Sequence, residues 1–342
     1  MQVPPDVAEI VRRRIDERLT LSLDGAALQA RERAREALPT IEQIRALTMR
    51  GGKRLRPLMV MSAVECIAPW ESLGEATIDV GAAIELLQTY LLVHDDWIDG
   101  DSVRRGGPTV HVALTEAYGN AHLGASVAVL AGDMASSLAQ DLIVHAPMPP
   151  ERLRAVLAAY VVMQREVILG QVLDVLGSSA LDAVHDLKTG SYTVRGPLAL
   201  GHALAGGSPD AWQALEAFAG PVGIAFQLRD DLIGAFGDEQ ETGKSAASDL
   251  RAGKRTAPVS LAIERLDESG RRELEGVLGR DDDAAVERAR ALIDGSGARA
   301  AVEDRIAALR ERALAALIGP SLRVEGARLL SNLAHDMTER RK

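Results

Sequence analysis

Cysteine is nearly absent, with Cys66 the one thiol in 342 residues. No intrachain disulfide can form, which fits a reducing compartment and sets aside the small disulfide-stapled scaffolds. Aromatic residues make up 3% of the chain although hydrophobic residues make up 47%. The core must therefore be built from Ala, Leu, Val and Ile, and Ala and Leu head the ranking of helix formers. Positive charge is in deficit, with a formal net charge of −10. Nucleic acid asks for a basic face, so no nucleic-acid partner is expected. Small anions stay open as ligands, because a local group of Arg and Lys, or metal ions bridging to carboxylates, is enough to hold them. Long apolar runs are missing too. The richest, Leu153 to Leu169, is broken by Arg154, Gln164, Arg165 and Glu166, short of the ~18 uninterrupted residues of a membrane span. No membrane span is expected. Met1 to Asp6 shows no basic segment leading into an apolar one, so no signal peptide is expected and the expected location is cytoplasmic.

Strand signals are also lacking, since no alternating apolar and polar run is bounded by hairpin turns. Helical patterns fill the chain instead. Val80 to Val93 is apolar over most of its length, which predicts a helix buried on most sides. Glu151–Val175, Ala211–Ala235 and Val302–Ile318 are further long candidates, the last with a stripe through Ile306, Leu309, Leu314 and Leu317. Breaks fall at Pro147-Met148-Pro149-Pro150 and at Gly206-Gly207-Ser208-Pro209, where Ser208 is placed as an N-cap and Pro209 at the first helical position. Gly237 to Ala247 reads as a polar loop. Asp267 to Arg290, rich in both charges, reads as a solvated peripheral region. No break is long enough for a domain linker, so the expectation is all-α: one domain over residues 1–342.

Two acidic clusters stand out. Asp95-Asp96-Trp97-Ile98-Asp99 follows the apolar run Val80–Val93, and positions i and i+4 put Asp95 and Asp99 on one helix face. Carboxylates gathered at the end of a buried helix repel one another unless something positive neutralises them. Oxygen ligands of this kind suit Mg²⁺, which takes one or two carboxylates, several waters and substrate phosphates; the plain alternative is a solvated acidic helix end. Asp230-Asp231 occurs far downstream, again after an apolar stretch, Val222–Leu228. Basic residues follow the same logic. Gly51-Gly52-Lys53-Arg54-Leu55-Arg56-Pro57 packs three cations into four residues behind two glycines, and Pro57 is expected to open the next helix. Arg104-Arg105 comes directly after the first acidic cluster. Arg grips a phosphate through two parallel hydrogen bonds, whereas Lys acts as a point charge. A solvated basic turn is the plain alternative for the first loop, and Lys188-Thr189 and Lys254-Arg255-Thr256 are weaker signals.

Taken together, these motifs resemble the all-trans polyprenyl diphosphate synthases. The matching segments are GGKRLRP at Gly51–Pro57, HDDWIDGDSVRRGGPTVH at His94–His111, GQVLD at Gly170–Asp174, LKTGSY at Leu187–Tyr192, and GIAFQLRDDLIGAFGDEQETGKSAASDLRAGKRTAP at Gly223–Pro258. They stand in the family's order across residues 51–258, with residues 259–342 left as C-terminal helices. The resemblance implies mostly antiparallel helices around a deep central cavity, usually as a homodimer. It also implies an Mg²⁺-dependent prenyltransferase that joins isopentenyl diphosphate to allylic diphosphates, with two to three ions per site. Asp95, Asp99 and Asp230 would bind Mg²⁺, supported by Asp96 and Asp231. Arg104 would hold the allylic diphosphate with Lys188, Thr189, Gln227, Lys244 and Lys254. Lys53, Arg56 and Arg105 would hold isopentenyl diphosphate.

Two positions depart from the pattern. The second acidic motif usually reads DDxxD, and its fifth position is Gly234 here. Seven residues before Asp95 the family often has a histidine that contacts isopentenyl diphosphate; here it is Gln88, which can still donate a hydrogen bond. In the family, a side chain one turn upstream of Asp95 faces the growing tail. Tyr90 lies five residues before Asp95 and Leu91 four. A bulky Tyr90, with no insertion inside DDWID, resembles the geranylgeranyl (twenty-carbon) type. Farnesyl (fifteen-carbon) is the close second, because Leu87 and Leu91 could shorten the cavity. A class I terpene cyclase needs only one diphosphate site, which the loop at Lys53 and the second arginine, Arg105, argue against. A non-catalytic subunit of a heteromer would tend to lose an acidic motif, and the first is intact.

Overall fold

Helix follows from the composition, and helices account for almost all the structure of this computed structural model, which describes residues 6–177, 186–237 and 247–339. α1 (Asp6–Arg33) buries Val11, Ile15, Leu19, Leu23 and Ala27, one every four residues along a single stripe. α2 (Leu38–Met49), α3 (Leu55–Glu65) and α4 (Gly74–Ile98) follow. α4 is buried on nearly every side from Ala76 to Thr89, as its mostly apolar character predicts, and it packs on α1, α3 and α6. It runs about a turn further at each end than the apolar run alone marks out, so Asp95 and Asp96 belong to its last turn. Two residue pairs, β1 (Val103–Arg104) and β2 (Gly107–Pro108), form a minimal antiparallel hairpin, the one sheet among the described residues.

α5 (Val110–Tyr118), α6 (Ala121–His145) and α7 (Pro150–Val175) complete the first half. A π-helical segment, Asp186–Arg195, leads into α8 (Gly196–Ala205) and α9 (Pro209–Phe236). The Ser208 cap is realised, its hydroxyl accepting from the Ala211 amide at 3.2 Å with Pro209 first in the helix. α10 (Ser248–Arg251), α11 (Ala257–Arg265), α12 (Glu268–Val277), α13 (Asp283–Gly295), α14 (Ala298–Ala316) and α15 (Val324–Glu339) close the chain.

The stretch from Asp267 to Arg290 is largely exposed, as expected, and within it stand two capped helices. Asp267 caps α12 and Asp282 caps α13, each accepting a backbone amide at 2.7 Å. Leu274, Val286 and Ala289 sink into a core with Leu250, Val259 and Ile293. The charges occupy the outer faces, and a narrow apolar stripe inside a charged segment is enough to seat a helix.

Packing divides the chain into two compact units. One comprises Met1–Gln164, Gly196–Trp212 and Pro320–Leu330, the other Arg165–Arg195, Gln213–Gly319 and Ser331–Lys342. The first holds the acidic end of α4 and the Gly51–Pro57 loop. The second holds Asp230, Asp231 and Lys188.

Three helical stretches, Trp70–Ile98, Ala121–His145 and Pro150–Val175, are long and apolar enough to cross a membrane by length and composition. Scattered polar residues interrupt each of them, so none is an unbroken apolar run. The first has 83% of its apolar window buried inside the protein, the second 44% and the third 28%.

Candidate functional site

The first acidic motif sits at the C-terminal end of α4, where the last carbonyls already concentrate partial negative charge. The Asp99 amide donates to the Asp95 carbonyl at 2.8 Å, so the helical path persists and the two carboxylates share one face. Asp95 is half-buried and Asp99 exposed. Asp96 is fully buried, and its Oδ1 accepts from Arg104 Nε at 2.6 Å. Arg104 Nη2 also donates to Asp101 Oδ2 at 2.8 Å. Burial pushes the Asp96 carboxyl above its ordinary value despite the Arg104 hydrogen bond. Burial also works against the Arg104 charge, but Asp96 and Asp101 outweigh it and hold that guanidinium above its ordinary value. Asp96 Oδ2 is buried without a hydrogen-bond partner.

The basic loop joins α2 to α3, and the β1–β2 hairpin comes against it. Arg105 Nη1 donates to the Gly51 carbonyl at 3.3 Å, and Arg50 Nη1 staples the hairpin through the carbonyls of Arg104 (3.1 Å) and Pro108 (3.0 Å). Lys53 is exposed and Arg56 half-buried. Burial holds the Arg105 guanidinium below its ordinary value, and the charges of Arg56, Arg54 and Arg104 add to the effect against the opposing pull of Glu85. The predicted cations Lys53, Arg56, Arg104 and Arg105 thus belong to one neighbourhood. Arg54, which the sequence reading grouped with them, turns inward and is 5% exposed. Arg50 and Glu85 were missed; a charged residue inside an otherwise apolar helix, as Glu85 is in α4, was the available signal.

Gln88 lies two helical turns before Asp95, buried, with its Oε1 lacking a hydrogen-bond partner. Tyr90 is half-buried, its ring set edge-on to His94 with centroids 4.8 Å apart. Burial raises the Tyr90 hydroxyl pKa and Asp133 adds to it. Leu91 is half-buried, whereas Leu87 is enclosed completely in the core.

In the second unit, Asp230 is half-buried on α9. Asp231 is buried and accepts from Gln227 Nε2 at 2.8 Å and from the Ala257 amide at 2.9 Å, satisfying an orphan donor at the start of α11. Lys188 pairs with Asp174 Oδ2 at 2.5 Å. A side chain at Gly170 would strike the Lys188 backbone, so the π-helical segment needs a glycine beneath it. Lys254 Nζ lies 3.8 Å from Asp249 Oδ1. Lys244 and the Thr189 side chain lie outside the described residues.

Among the described residues no three His, Cys, Asp or Glu side chains gather closely enough to hold a metal by themselves. The donors at the end of α4 are all hard oxygens, those of Asp95 and Asp99 on one helix face. Magnesium fits this donor set.

The sequence matches the family Polyprenyl synthetase over residues 39–294. It is 32% identical over 304 residues to a short chain isoprenyl diphosphate synthase of Methanothermobacter thermautotrophicus, covering 86% of each chain. It is 34% identical to a geranylfarnesyl diphosphate synthase of Aeropyrum pernix, over 85% of this chain and 91% of that one. The fold superposes with a TM-score of 0.88 on a geranylgeranyl pyrophosphate synthase from Corynebacterium glutamicum, solved with isoprenyl diphosphate and magnesium. That structure is 35% identical, over 97% of this chain and 98% of that chain. This all-α chain belongs to the polyprenyl synthetase family and is a prenyltransferase, a short-chain prenyl diphosphate synthase.

Proposed function

We propose that the chain condenses isopentenyl diphosphate with allylic diphosphates head to tail and that its main product is geranylgeranyl diphosphate. The observation that carries the chain length is Tyr90, a bulky half-buried ring one turn above the acidic end of α4 and braced edge-on by His94. A bulky ring there would stop a growing tail sooner than a small side chain would. Relatives are named for farnesyl, geranylgeranyl and geranylfarnesyl diphosphates. Farnesyl diphosphate is the second reading, with Leu91 as the extra block; Leu87, enclosed in the core, supports it less.

Asp95, Asp99 and Asp230 are the proposed magnesium ligands, for two to three ions. Magnesium held there supplies Lewis-acid stabilisation of the departing diphosphate. Arg104, oriented by Asp96 and Asp101, offers a fixed positive charge to the allylic diphosphate, and fixed charges act where charge develops. Lys188, Thr189, Gln227, Lys244 and Lys254 are proposed as further diphosphate-binding groups. Lys53, Arg56 and Arg105, with Gln88, take isopentenyl diphosphate. The apolar α4 keeps water from the allylic cation that forms as the diphosphate leaves. The proton lost as the new double bond forms would pass to the departing diphosphate, so no side chain of the protein is needed as the base. The lone cysteine supports a cytoplasmic location, and exposed Leu130 and Met134 on α6 support a homodimer.

The test is incubation of the purified chain with isopentenyl diphosphate, Mg²⁺ and, in turn, the five-, ten- and fifteen-carbon allylic diphosphates, followed by chromatography. Twenty-carbon product from all three starters is the expected result. Product that stops at fifteen carbons, with the fifteen-carbon starter left unconverted, would establish the farnesyl reading instead.

A further inference from the structure

The loop Gly51–Arg54 is held from three directions. Arg12 of α1 donates to the Lys53 carbonyl at 3.1 Å, Arg105 of the hairpin donates to the Gly51 carbonyl at 3.3 Å, and Arg54 anchors its own end from inside. Arg54 adopts φ 51°, ψ 40° at the N-cap of α3, a left-handed conformation that a non-glycine residue holds only when its surroundings enforce it. The enforcing contacts are specific. Arg54 Nη1 donates to Glu85 Oε2 at 2.7 Å, Nε to Asp16 Oδ1 at 2.9 Å, and Nη2 to the Thr48 carbonyl at 3.1 Å. Thr48 is tied in turn to Thr89, whose hydroxyl donates to the Glu85 carbonyl. Arg54 and Glu85 are both nearly inaccessible to solvent, at 5% and 6% exposed. A buried carboxylate is costly unless paired, so Glu85 and Arg54 each hold the other in place.

The turn at residue 54 sends Lys53 outward and sets Arg56 two residues on, in the first turn of α3. Glu85 is the carboxylate that opposes the crowding of Arg54, Arg56 and Arg104 around Arg105. We propose that Glu85, acting through Arg54 and assisted by Asp16, is the positioning residue for the isopentenyl diphosphate headgroup, fixing the loop so that Lys53, Arg56 and Arg105 present their charges in one arrangement. This rests on the assignment of those three cations to isopentenyl diphosphate under Proposed function. Preorganised charge binds an anion without first rearranging, and misplacement by about 1 Å is enough to cost one to two orders of magnitude. Arg54 and Glu85 are buried beneath the loop, so their part is to hold it.

The experiment measures KM for isopentenyl diphosphate and for the fifteen-carbon allylic diphosphate in Glu85→Gln, Asp16→Asn and Lys53→Ala, with helical content checked by circular dichroism. Glu85→Gln is expected to raise the isopentenyl diphosphate KM by about tenfold or more while moving the allylic KM less than about twofold. A purely structural role would disturb both or neither. Asp16→Asn, on the more open side of the network, should move the isopentenyl diphosphate KM in the same direction by about threefold, and it supplies the answer if Glu85→Gln does not fold. The positioning role is overturned if the folded variants leave the isopentenyl diphosphate KM unchanged or raise both KM values alike while Lys53→Ala raises that KM. An unchanged value in Lys53→Ala would instead overturn the assignment of the headgroup site itself.

Discussion

Gly234 and Asp249 share one space: a Cβ built on residue 234 would overlap the Asp249 carboxylate. Gly234 is the fifth position of the second acidic motif, where the DDxxD pattern has aspartate, so the local sequence reads as a motif with one acid lost. The packing gives that loss a physical basis, because the room for a side chain is taken by an acid fifteen residues further on. Restoring the aspartate should therefore harm the protein. Gly234→Asp is expected to lower the unfolding free energy by about 1–3 kcal/mol, the usual cost of overpacking, and adding Asp249→Gly should recover most of it. Denaturant unfolding of the three proteins checks this; a Gly234→Asp variant as stable as the parent would show that the site has room to spare.

Asp95→Ala and Asp230→Ala should each reduce kcat about a hundredfold or more, the scale of losing a group that stabilises developing charge, with helical content unchanged. Both residues are only half-buried, so their removal leaves no hole in the core. Steady-state turnover at saturating Mg²⁺ is the measurement, and near-normal kcat in either variant would remove it from the metal ligands.

Asp96 should behave differently from its neighbour. It is fully buried against Arg104, and stripping one partner from a buried ion pair costs about 3–5 kcal/mol. Asp96→Ala is expected to show that loss in chemical denaturation, whereas Asp95→Ala loses activity with little change in stability. Equal stability of the two variants would contradict the pairing.

Tyr90→Ala should shift the product distribution towards chains longer than twenty carbons, read by chromatography of the dephosphorylated products. An unchanged distribution would mean that another side chain closes the tail's path.

Cys66 is 1% exposed, and burial, with Glu65 nearby, pushes its thiol up to about 12. At pH 8 roughly one thiol in 10⁴ is then ionised, and the thiolate is the reactive form. An aromatic disulfide reagent should label the native protein at least about 100-fold more slowly than the urea-unfolded chain. Rapid labelling of the native protein would be inconsistent with this burial.

Much of the site was legible because its signals are local. Asp95 and Asp99 share a face through helical spacing alone, and the Ser208 cap with Pro209 marked the start of α9 correctly. What was illegible needed partners distant in sequence. Among the three cations of Lys53-Arg54-Leu55-Arg56, nothing local separates Arg54 from its neighbours. It turns inward because Asp16 and Glu85, 38 and 31 residues away, meet it there. The charged stretch from Asp267 hid its core stripe for a related reason, since Leu274 counts as buried only once α13 covers it.

Composition and spacing alone thus specified an all-α chain, two acidic clusters and a set of phosphate-seeking cations, because propensity and helical period act over a few residues. Which of those charges face outward, which neutralise one another in the interior and why residue 234 carries no side chain were settled by folding. Burial penalises any charge without a partner, and those partners arrive only when distant helices pack.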